Sequence, residues 1–496
     1  METRIRRGSA IIICIWGLIL GSAEVNAQDS LWSSAYGGYY NENGHSAIRL
    51  DNGDFLLLGS TYSYGSGDYD IYLVKVDSTG TEIWSRTYGG SEADYGYDIT
   101  PTSDAGFVIV GSTTSYGAGD HDLYLIKIDD AGTVVWSKTY GGTAEDRGAS
   151  VRMTADNGFI VCGTTASFGT GTDIYLIKTD SLGDSTWTKT YGGSGGESGS
   201  AVRIAIDSGY ILLGSTGSYG AGYSSFYLVR TGETGDTLWT ATYGGARADF
   251  GYGLETTNDK GYILTGATAP DGASFYDAYL VKTDSLGVEE WSDNYGGAYE
   301  DRTYSIALTS DGGYILTGST EATGGRKIDL YMVKTDAGGA IEWDSAYGGT
   351  ESDYGRTVLL DVDENYYSLG YSFSTGSGGS DIYFVKIEGP AATPVDDFYS
   401  PLPANHYALS QNYPNPFNLE TIIEFTLPRR SSYRLTIYNI LGQVLRRWED
   451  DAVSAGWYAL SWDGRDANGR TVASGVYFYT LQAGTYRESK KMVLMK

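Results

Sequence analysis

The stretch Trp84-Ser-Arg-Thr-Tyr-Gly-Gly90 is one copy of a motif, Trp-x-x-x-Tyr-Gly-Gly, that returns through most of the 496-residue chain. Copies start at seven tryptophans, spaced by 52 residues with a single 51: Trp32, Trp84, Trp136, Trp187, Trp239, Trp291 and Trp343. A second pattern, similar to Asp-Ile-Tyr-Leu-Val-Lys, repeats in step around Tyr72, Tyr124, Tyr175, Tyr227, Tyr279, Tyr331 and Tyr383. Self-similarity at such a period is typical of a repeated structural unit, which is present seven times.

Each unit has room for four short strands, named A to D in chain order. In the second unit we predict them at residues 97–101, 106–112, 122–128 and 133–139. Strands B and C are nearly continuous in apolar residues, as expected when both faces of a sheet are covered. Four strands per unit, without helix-period runs, predict an all-β fold: a seven-bladed β-propeller.

The order of the strands predicts how the ring closes. The chain begins with a D-type strand at residues 31–36, and the repeats end with a C-type strand at residues 381–386. The seventh unit therefore lacks a D strand of its own. We expect the N-terminal strand to complete that blade, because a closed ring leaves no unpaired sheet edge. The propeller is predicted to occupy residues 28–388.

The first 27 residues have the features of a secretory signal peptide. Three arginines precede an apolar run at residues 11–20, and Val25-Asn26-Ala27 offers small residues for cleavage between Ala27 and Gln28. The apolar run is too short to cross a bilayer and no later run is longer, so we expect a mature chain without a transmembrane segment. Only Cys162 would remain in it, as a core thiol without a disulfide partner.

Charge is distributed unevenly along the chain, whose formal net charge is −28. Residues 28–388 contain 20 Lys and Arg against 50 Asp and Glu, whereas residues 389–496 contain 11 and 10. An acidic propeller repels phosphate backbones, which argues against nucleic acid as a partner. Neutral glycans, surface proteins and divalent cations remain compatible with this charge.

The composition changes after the repeats. Residues 389–410 are rich in Pro, Ala and Asp and are predicted to be a linker. Residues 411–496 show period-two apolar runs at 421–427, 433–438 and 475–481, with turn signals at Asp463-Gly464 and Asn468-Gly469. This pattern predicts a small β-sandwich.

Both regions resemble known families. Units such as Asp311-Gly-Gly-Tyr-Ile-Leu-Thr-Gly-Ser319 look like the SBBP-type seven-bladed propeller repeats of secreted bacterial proteins. The motifs Tyr413-Pro-Asn-Pro-Phe-Asn418, Trp462-Asp-Gly464 and Lys490-Lys-Met-Val-Leu-Met-Lys496 resemble C-terminal type IX (type A) secretion sorting domains and the Ig-like domain of flagellar hook-capping proteins. The second resemblance implies export by the outer-membrane secretion machinery of a Gram-negative bacterium, to the cell surface or the extracellular space. Lys490, Lys491 and Lys496 would then belong to the region that the exporter reads.

An acidic residue stands four positions after each Gly-Gly, where strand A begins. Seven carboxylates so placed would ring one mouth of the central channel, and Ca²⁺ suits such oxygen ligands. The same position suits a structural cap that accepts N–H groups of the turn, and the sequence leaves both interpretations open. It demands no other cofactor. The seven acids are Glu42, Asp94, Asp146, Glu197, Asp249, Asp301 and Asp353.

The D–A and B–C connections are longer than the other two, so the face that they share is the expected functional face. Four of its B–C loops contain an aromatic residue in a Ser-Tyr-Gly-like setting: Tyr64, Tyr116, Phe168 and Tyr219. Such a rim would stack on sugar rings, although exposed tyrosine is also common in Gly-rich loops.

Motifs for catalysis are lacking in the sequence. There is no nucleophile elbow, phosphate-binding loop or histidine pair at metal-ligand spacing, and similar acids in every blade suit a repeat without an active site. We therefore expect a non-enzymatic binding or structural protein whose ligand is a glycan or a surface protein. A secreted carbohydrate-active hydrolase or lyase using carboxylates of the long-loop face is the alternative.

Overall fold

The computed structural model describes residues 30–270, 274–321, 327–361, 363–389, 407–409, 412, 417, 421–453, 456–467, 470–484 and 486–494. These residues form strands and turns without a helix, which confirms the predicted all-β class. None of them belongs to a helix that could span a bilayer. The chain divides into two compact units, residues 1–392 and 393–496. The predicted signal peptide with its Ala27–Gln28 cleavage site, and Lys496, lie outside the described residues.

The first unit contains seven four-stranded antiparallel sheets. In chain order their strands are β1 (Ser30–Tyr36), β2 (Glu42–Arg49), β3 (Phe55–Thr61), β4 (Asp70–Val76), β5 (Glu82–Tyr88), β6 (Asp94–Pro101), β7 (Phe107–Thr113), β8 (Asp122–Ile128), β9 (Val134–Tyr140), β10 (Asp146–Met153), β11 (Phe159–Thr165), β12 (Asp173–Thr179), β13 (Ser185–Tyr191), β14 (Glu197–Ile204), β15 (Tyr210–Thr216), β16 (Ser225–Thr231), β17 (Thr237–Tyr243), β18 (Asp249–Thr256), β19 (Tyr262–Thr268), β20 (Asp277–Thr283), β21 (Glu289–Tyr295), β22 (Asp301–Leu308), β23 (Tyr314–Thr320), β24 (Asp329–Thr335), β25 (Ile341–Tyr347), β26 (Asp353–Leu360), β27 (Tyr366–Ser372) and β28 (Asp381–Ile387).

The seven sheets are the blades of a propeller. The innermost strands of successive blades contact one another all the way round, from β2 through β6 and onward to β26, which contacts β2 again. β1 completes the seventh blade: it pairs antiparallel with β28, so that Trp32 lies opposite Lys386 and Tyr36 lies opposite Ile382. The closure predicted from the order of the strands is therefore confirmed.

The Trp-x-x-x-Tyr-Gly-Gly motif joins each blade to the next. The indole of Trp32 lies against Gly80 in the C–D turn of the following blade, where an added Cβ would come within 2.8 Å of the ring. Gly80 has a φ of 81°, a left-handed conformation that favours glycine. The hydroxyl of Tyr36 donates to the carbonyl of Gly80, and five further tyrosines make the equivalent bond: Tyr88, Tyr140, Tyr191, Tyr243 and Tyr295.

Strands B and C form the core of the blades. Every residue of β7 and β8 is buried, in agreement with their nearly continuous apolar sequence. Cys162 on β11 is fully buried, and this burial raises the pKa of its thiol to about 12. The thiol is therefore a packing group. Strand A of the second blade begins at Asp94, three residues before the prediction, because Asp94 itself pairs with Thr113.

The second unit consists of two sheets. Its strands are β29 (Ala408–Leu409), β30 (Thr421–Leu427), β31 (Ser431–Asn439), β32 (Val444–Val453), β33 (Gly456–Trp462), β34 (Gly475–Ala483) and β35 (Tyr486–Leu494). One sheet has the order β29-β30-β33 and the other β32-β31-β34-β35, with one hydrophobic core. The linker predicted at residues 389–410 was wrong at its C-terminal end, because Ala408 pairs with Thr426 and Leu409 is buried in this core. A two-residue strand carries no periodic signal in the sequence.

Candidate functional site

Every A strand contains a β-bulge at the same place. In β2 the register passes from Gly44 opposite Gly59 to Ser46 opposite Leu58, which leaves His45 without a residue opposite it. The same shift occurs in the other six A strands. A bulge changes the direction of the extra side chain. The seven extra residues, called the bulge ring from here on, are His45, Tyr97, Ala149, Ser200, Tyr252, Tyr304 and Arg356.

All seven residues of the bulge ring line one central cavity of about 680 Å³, to which every A strand contributes. The lining extends from the bulge ring to Pro101 and Leu360, near the A–B turns. Its volume is within the range of small-ligand sites. The cavity therefore reaches toward the end of the channel opposite the long-loop face. The sequence analysis missed it, although the signal was present: the third residue after each repeated acid is variable, and it is tyrosine in only three of the seven blades.

A buried carboxylate ties three blades together inside the cavity. Asp98 accepts hydrogen bonds from the guanidinium of Arg152 at 2.7 Å, from Ser46 at 3.0 Å, and from Ser150 and the N–H of Val151 at 3.1 and 3.0 Å. Burial alone would raise the pKa of Asp98, but the charge of Arg152 and the N–H of Val151 outweigh burial and lower it. Asp98 is therefore a fully bonded, ionised group.

The other lining carboxylate, Glu255, accepts from Nε of Arg203 at 2.9 Å. Arg356 is different, since no carboxylate among the described residues pairs with it. Its guanidinium lies over the ring of Tyr304 at 4.2 Å, and its Nη2 is 3.4 Å from the hydroxyl of Tyr371. Its Nε is buried without a hydrogen-bond partner. The charged residues that line the cavity thus sum to +1, in the part of the chain that is most acidic.

His45 stands beside this cation in the bulge ring. Burial, and then the charge of Arg356, lower the pKa of His45 to about 3. The imidazole is therefore neutral near pH 7, and Arg356 is not joined by a second positive charge there.

The seven acids predicted from the repeat are the first residues of the A strands, and each is at most 2 % exposed. One carboxylate oxygen of each accepts the N–H of the second glycine of the preceding Gly-Gly, at 2.6–2.8 Å. Hydroxyls add further bonds, as from Thr61 to Glu42 and from Ser115 to Asp94. This is the geometry of a cap. In the described part of the chain, no three His, Cys, Asp or Glu residues are grouped to hold a metal ion, and the Ca²⁺ interpretation stays a prediction.

At most junctions between blades, a second carboxylate lies beside the repeated acid. The sequence analysis did not predict this pairing. Asp381 Oδ1 and Glu42 Oε2 lie 2.0 and 2.4 Å from the position that a Cβ on Gly37 would take. The first glycine of Gly-Gly thus makes room for two carboxylates. Burial, and then the charge of Glu42, raise the pKa of Asp381 to about 6. Equivalent pairs are Asp70 with Asp94, Asp122 with Asp146, Asp173 with Glu197, and Asp329 with Asp353.

The predicted aromatic rim consists of four separate contacts. The hydroxyls of Tyr64, Tyr116 and Tyr219 donate to the carbonyls of Gly37, Gly89 and Gly192 at 2.8–2.9 Å. Each rim ring, Phe168 included, also packs on a tyrosine of the C strand in its own blade. The rim residues are 42–46 % exposed, and they fasten the B–C loops in place.

A different row of aromatic residues crosses the long-loop face of the first two blades. Tyr39, Tyr40, Tyr62, Tyr69 and Tyr95, called the aromatic ladder from here on, have successive ring centroids 5.2–5.4 Å apart. Tyr39 is 77 % exposed and Tyr40 is 53 % exposed. The sequence analysis missed the ladder because its members lie in the connection before β2, in the connection between β3 and β4, and on strand β6. Only the fold brings these three segments together.

The ladder continues into the bulge ring. Tyr95 stacks on Tyr97 at 6.3 Å, and Tyr97 meets His45 edge to face at 5.3 Å. An unbroken line of aromatic contacts therefore leads from the exposed Tyr39 to the residues that line the central cavity.

Comparisons with known proteins support the C-terminal assignment. The FlgD Ig-like domain family matches residues 417–486, as the resemblance to hook-capping proteins implied. No curated protein matches the chain significantly.

Among solved structures the likenesses are distant. PorZ, a surface component of the type IX secretion system of Porphyromonas gingivalis, is 13 % identical with a TM-score of 0.42; the match covers 93 % of this chain and 61 % of PorZ. The chain thus spans about three fifths of that protein. A fungal AA5-family alcohol oxidase is 12 % identical with a TM-score of 0.48, covering 95 % of this chain and all of that one. Likenesses at this level give no functional argument.

Proposed function

We propose that this protein is a secreted or cell-surface carbohydrate-binding propeller without catalytic activity, exported through its C-terminal domain. The observation that carries the proposal is the aromatic ladder: five tyrosines in contact, partly exposed, on the face with the long loops. An exposed line of aromatic rings on a soluble domain marks a contact surface for a ligand.

The chemistry of the ladder suits a sugar chain. A pyranose presents an apolar face of C–H groups that packs on an aromatic ring, while the tyrosine hydroxyls bond its edges. Tyr40 stands edge to face against both Tyr39 and Tyr62, so each ring already has an aromatic contact before a ligand arrives. Rings that are already ordered lose little entropy on binding. An extended glycan is therefore the ligand class that we favour.

Binding without turnover is supported by the state of the carboxylates. A glycosidase needs a carboxyl group with a raised pKa as its general acid, next to a second carboxylate. The carboxylates in the cavity are Asp98, whose pKa is lowered, and Glu255, and each is bonded to an arginine. The junction pair of Asp381 and Glu42 does combine a raised pKa with a second carboxylate, but both side chains are buried, so a sugar chain on the surface does not reach them.

Export is supported by the C-terminal unit. The FlgD Ig-like match and the predicted signal peptide agree with a protein that leaves the cytoplasm. The last described strand, β35, holds Met492 and Leu494 in the core while Lys491 is exposed. A terminal strand with an ordered core side and an accessible basic side is suited to recognition by a secretion machinery.

The test is a glycan array with the full chain, followed by calorimetric titration of any oligosaccharide that binds. The double variant Tyr40→Ala/Tyr62→Ala should weaken binding about tenfold, since each aromatic contact contributes about 0.5–1.5 kcal/mol. Tyr223→Ala is the matched control, because Tyr223 is 87 % exposed and lies apart from the ladder. Equal binding by both variants, or hydrolysis of the oligosaccharide, would contradict the proposal.

A further inference from the structure

The aromatic ladder leads to a cation. From Tyr97 the line of contacts passes to His45, on whose imidazole the charge of Arg356 acts. Arg356 belongs to the bulge ring, so a ligand that follows the ladder into the channel meets a guanidinium at its end.

The environment of Arg356 is unusual for a half-buried arginine. The other arginines of the cavity, Arg152 and Arg203, are paired with Asp98 and Glu255. Arg356 has in their place two aromatic neighbours and one long contact to a hydroxyl, and its Nε donates to nothing. Removing a cation from water without a counter-charge is costly, which makes the site complementary to an anion.

We propose that the bulge ring binds the carboxylate of an acidic sugar, with Arg356 as the anchoring group. The inference rests on the proposed function in that the ligand is a glycan, and it adds the charge of the sugar that enters the channel. Arginine is the residue best suited to a carboxylate, because its planar guanidinium matches the two oxygens. Tyr252 and Tyr304, with ring centroids 5.1 Å apart, give the sugar ring an aromatic wall beside that group.

The charge of the cavity selects among anions. Three cations and two carboxylates leave one positive charge, which a single carboxylate neutralises. A phosphate carries up to two negative charges, and the second would meet the field of a strongly acidic propeller. His45 is neutral near pH 7 and does not supply the missing charge. A monoanionic sugar is therefore favoured over a phosphorylated one.

The test uses D-glucuronate, its neutral methyl ester and D-glucose as probes, titrated into the full chain and followed by NMR. The protein should bind glucuronate at least about tenfold more tightly than the ester, which has almost the same shape without the charge. Arg356→Gln should remove this preference. Arg356→Lys should restore part of this preference, because the ammonium keeps the positive charge. The restoration should be incomplete, because an ammonium lacks the planar pair of donors that fits a carboxylate.

Arg147→Gln is the control, because Arg147 is on strand β10 but outside the lining of the cavity and is already paired with Glu145. It should keep the full preference, and melting curves will show that each variant is folded. Equal affinity of the unmodified protein for glucuronate and its ester overturns the inference without any variant, and so does an unchanged preference in folded Arg356→Gln.

The ladder variants separate the two proposals. Weaker binding of neutral glycans in Tyr40→Ala/Tyr62→Ala, together with no preference for glucuronate, would support the proposed function and overturn the inference. A preference for glucuronate that depends on Arg356, with no effect of the ladder variants on any glycan, would support the carboxylate site and overturn the ladder.

Discussion

The indole of Trp32, on the first strand of the propeller, packs edge to face against Phe384 on the last, with ring centroids 5.5 Å apart. Trp32 also meets Tyr367 at 6.2 Å, so the N-terminal strand is joined to the seventh blade by side chains as well as by backbone pairing. The first strand of the chain thus completes the last blade, and these contacts hold the two ends of the propeller together.

This contact predicts the cost of opening the ring. Trp32→Ala should lower the free energy of unfolding by about 3 kcal/mol, at the low end for an aromatic truncation because Trp32 is only partly buried. Leu31→Ala, at an exposed neighbour on the same strand, should change it little. Denaturant unfolding of both variants measures the difference, and equal stabilities would mean that β1 does not close the ring.

The carboxylate pair of Asp381 and Glu42 predicts a dependence of stability on pH. The pKa of Asp381 is raised to about 6, so the folded state holds a proton that the unfolded chain releases near pH 4. This contribution to stability is complete below pH 4 and is lost as the pH rises to about 6. Asp381→Asn should therefore melt at a higher temperature than the unmodified protein at pH 8 and at a similar temperature at pH 4. The exposed change Glu233→Gln should give no such difference; a pH-independent effect of Asp381→Asn would contradict the pairing.

The same pairs predict a response to Ca²⁺. At pH 8, above its raised pKa, Asp381 is charged beside Glu42, and a divalent cation would relieve the repulsion. Calorimetry should show a modest rise in the melting temperature with Ca²⁺ relative to chelator at pH 8, and a smaller one at pH 5. Identical melting curves with Ca²⁺ and with chelator would leave these acids as turn caps only.

The final strand predicts the route of export. Removing residues 476–496 would also remove the core residues Met492 and Leu494, so point changes separate recognition from folding. Lys490→Ala/Lys491→Ala should leave the protein in the periplasm of its native host, whereas Arg487→Ala, on the same strand, should reach the cell surface. Surface labelling and fractionation measure this, and normal display of the double variant would contradict the role of these lysines.

The sequence predicted the parts of the fold that the repeat imposes. The period gave the blades, the phase of β1 and β28 gave the closure, and the buried B and C strands followed from their apolar composition. The repeated acids were found for the same reason. A residue that packs in the same way in every blade recurs at the period of the repeat. Such periodic residues therefore identify structural positions.

The candidate site left no such signal. His45, Tyr97 and Arg356 share a position in the repeat but no residue type, and the glycine that precedes each of them repeats with the backbone bulge and says nothing of the side chain that lines the channel. Tyr40 and Tyr62 are brought together only by the meeting of two loops. These residues could be recognised as one site only after the structure had placed strand A and its neighbouring loops in space.

The central claim is that a glycan lies along the aromatic ladder. A crystal structure of the full chain with an oligosaccharide identified on the array tests it most directly. We expect sugar rings packed on Tyr40, Tyr62 and Tyr69, with the chain directed toward Tyr97. Sugar bound at the separate rim residues Tyr64 or Tyr116, or on the C-terminal unit, with the ladder unoccupied, would contradict the account.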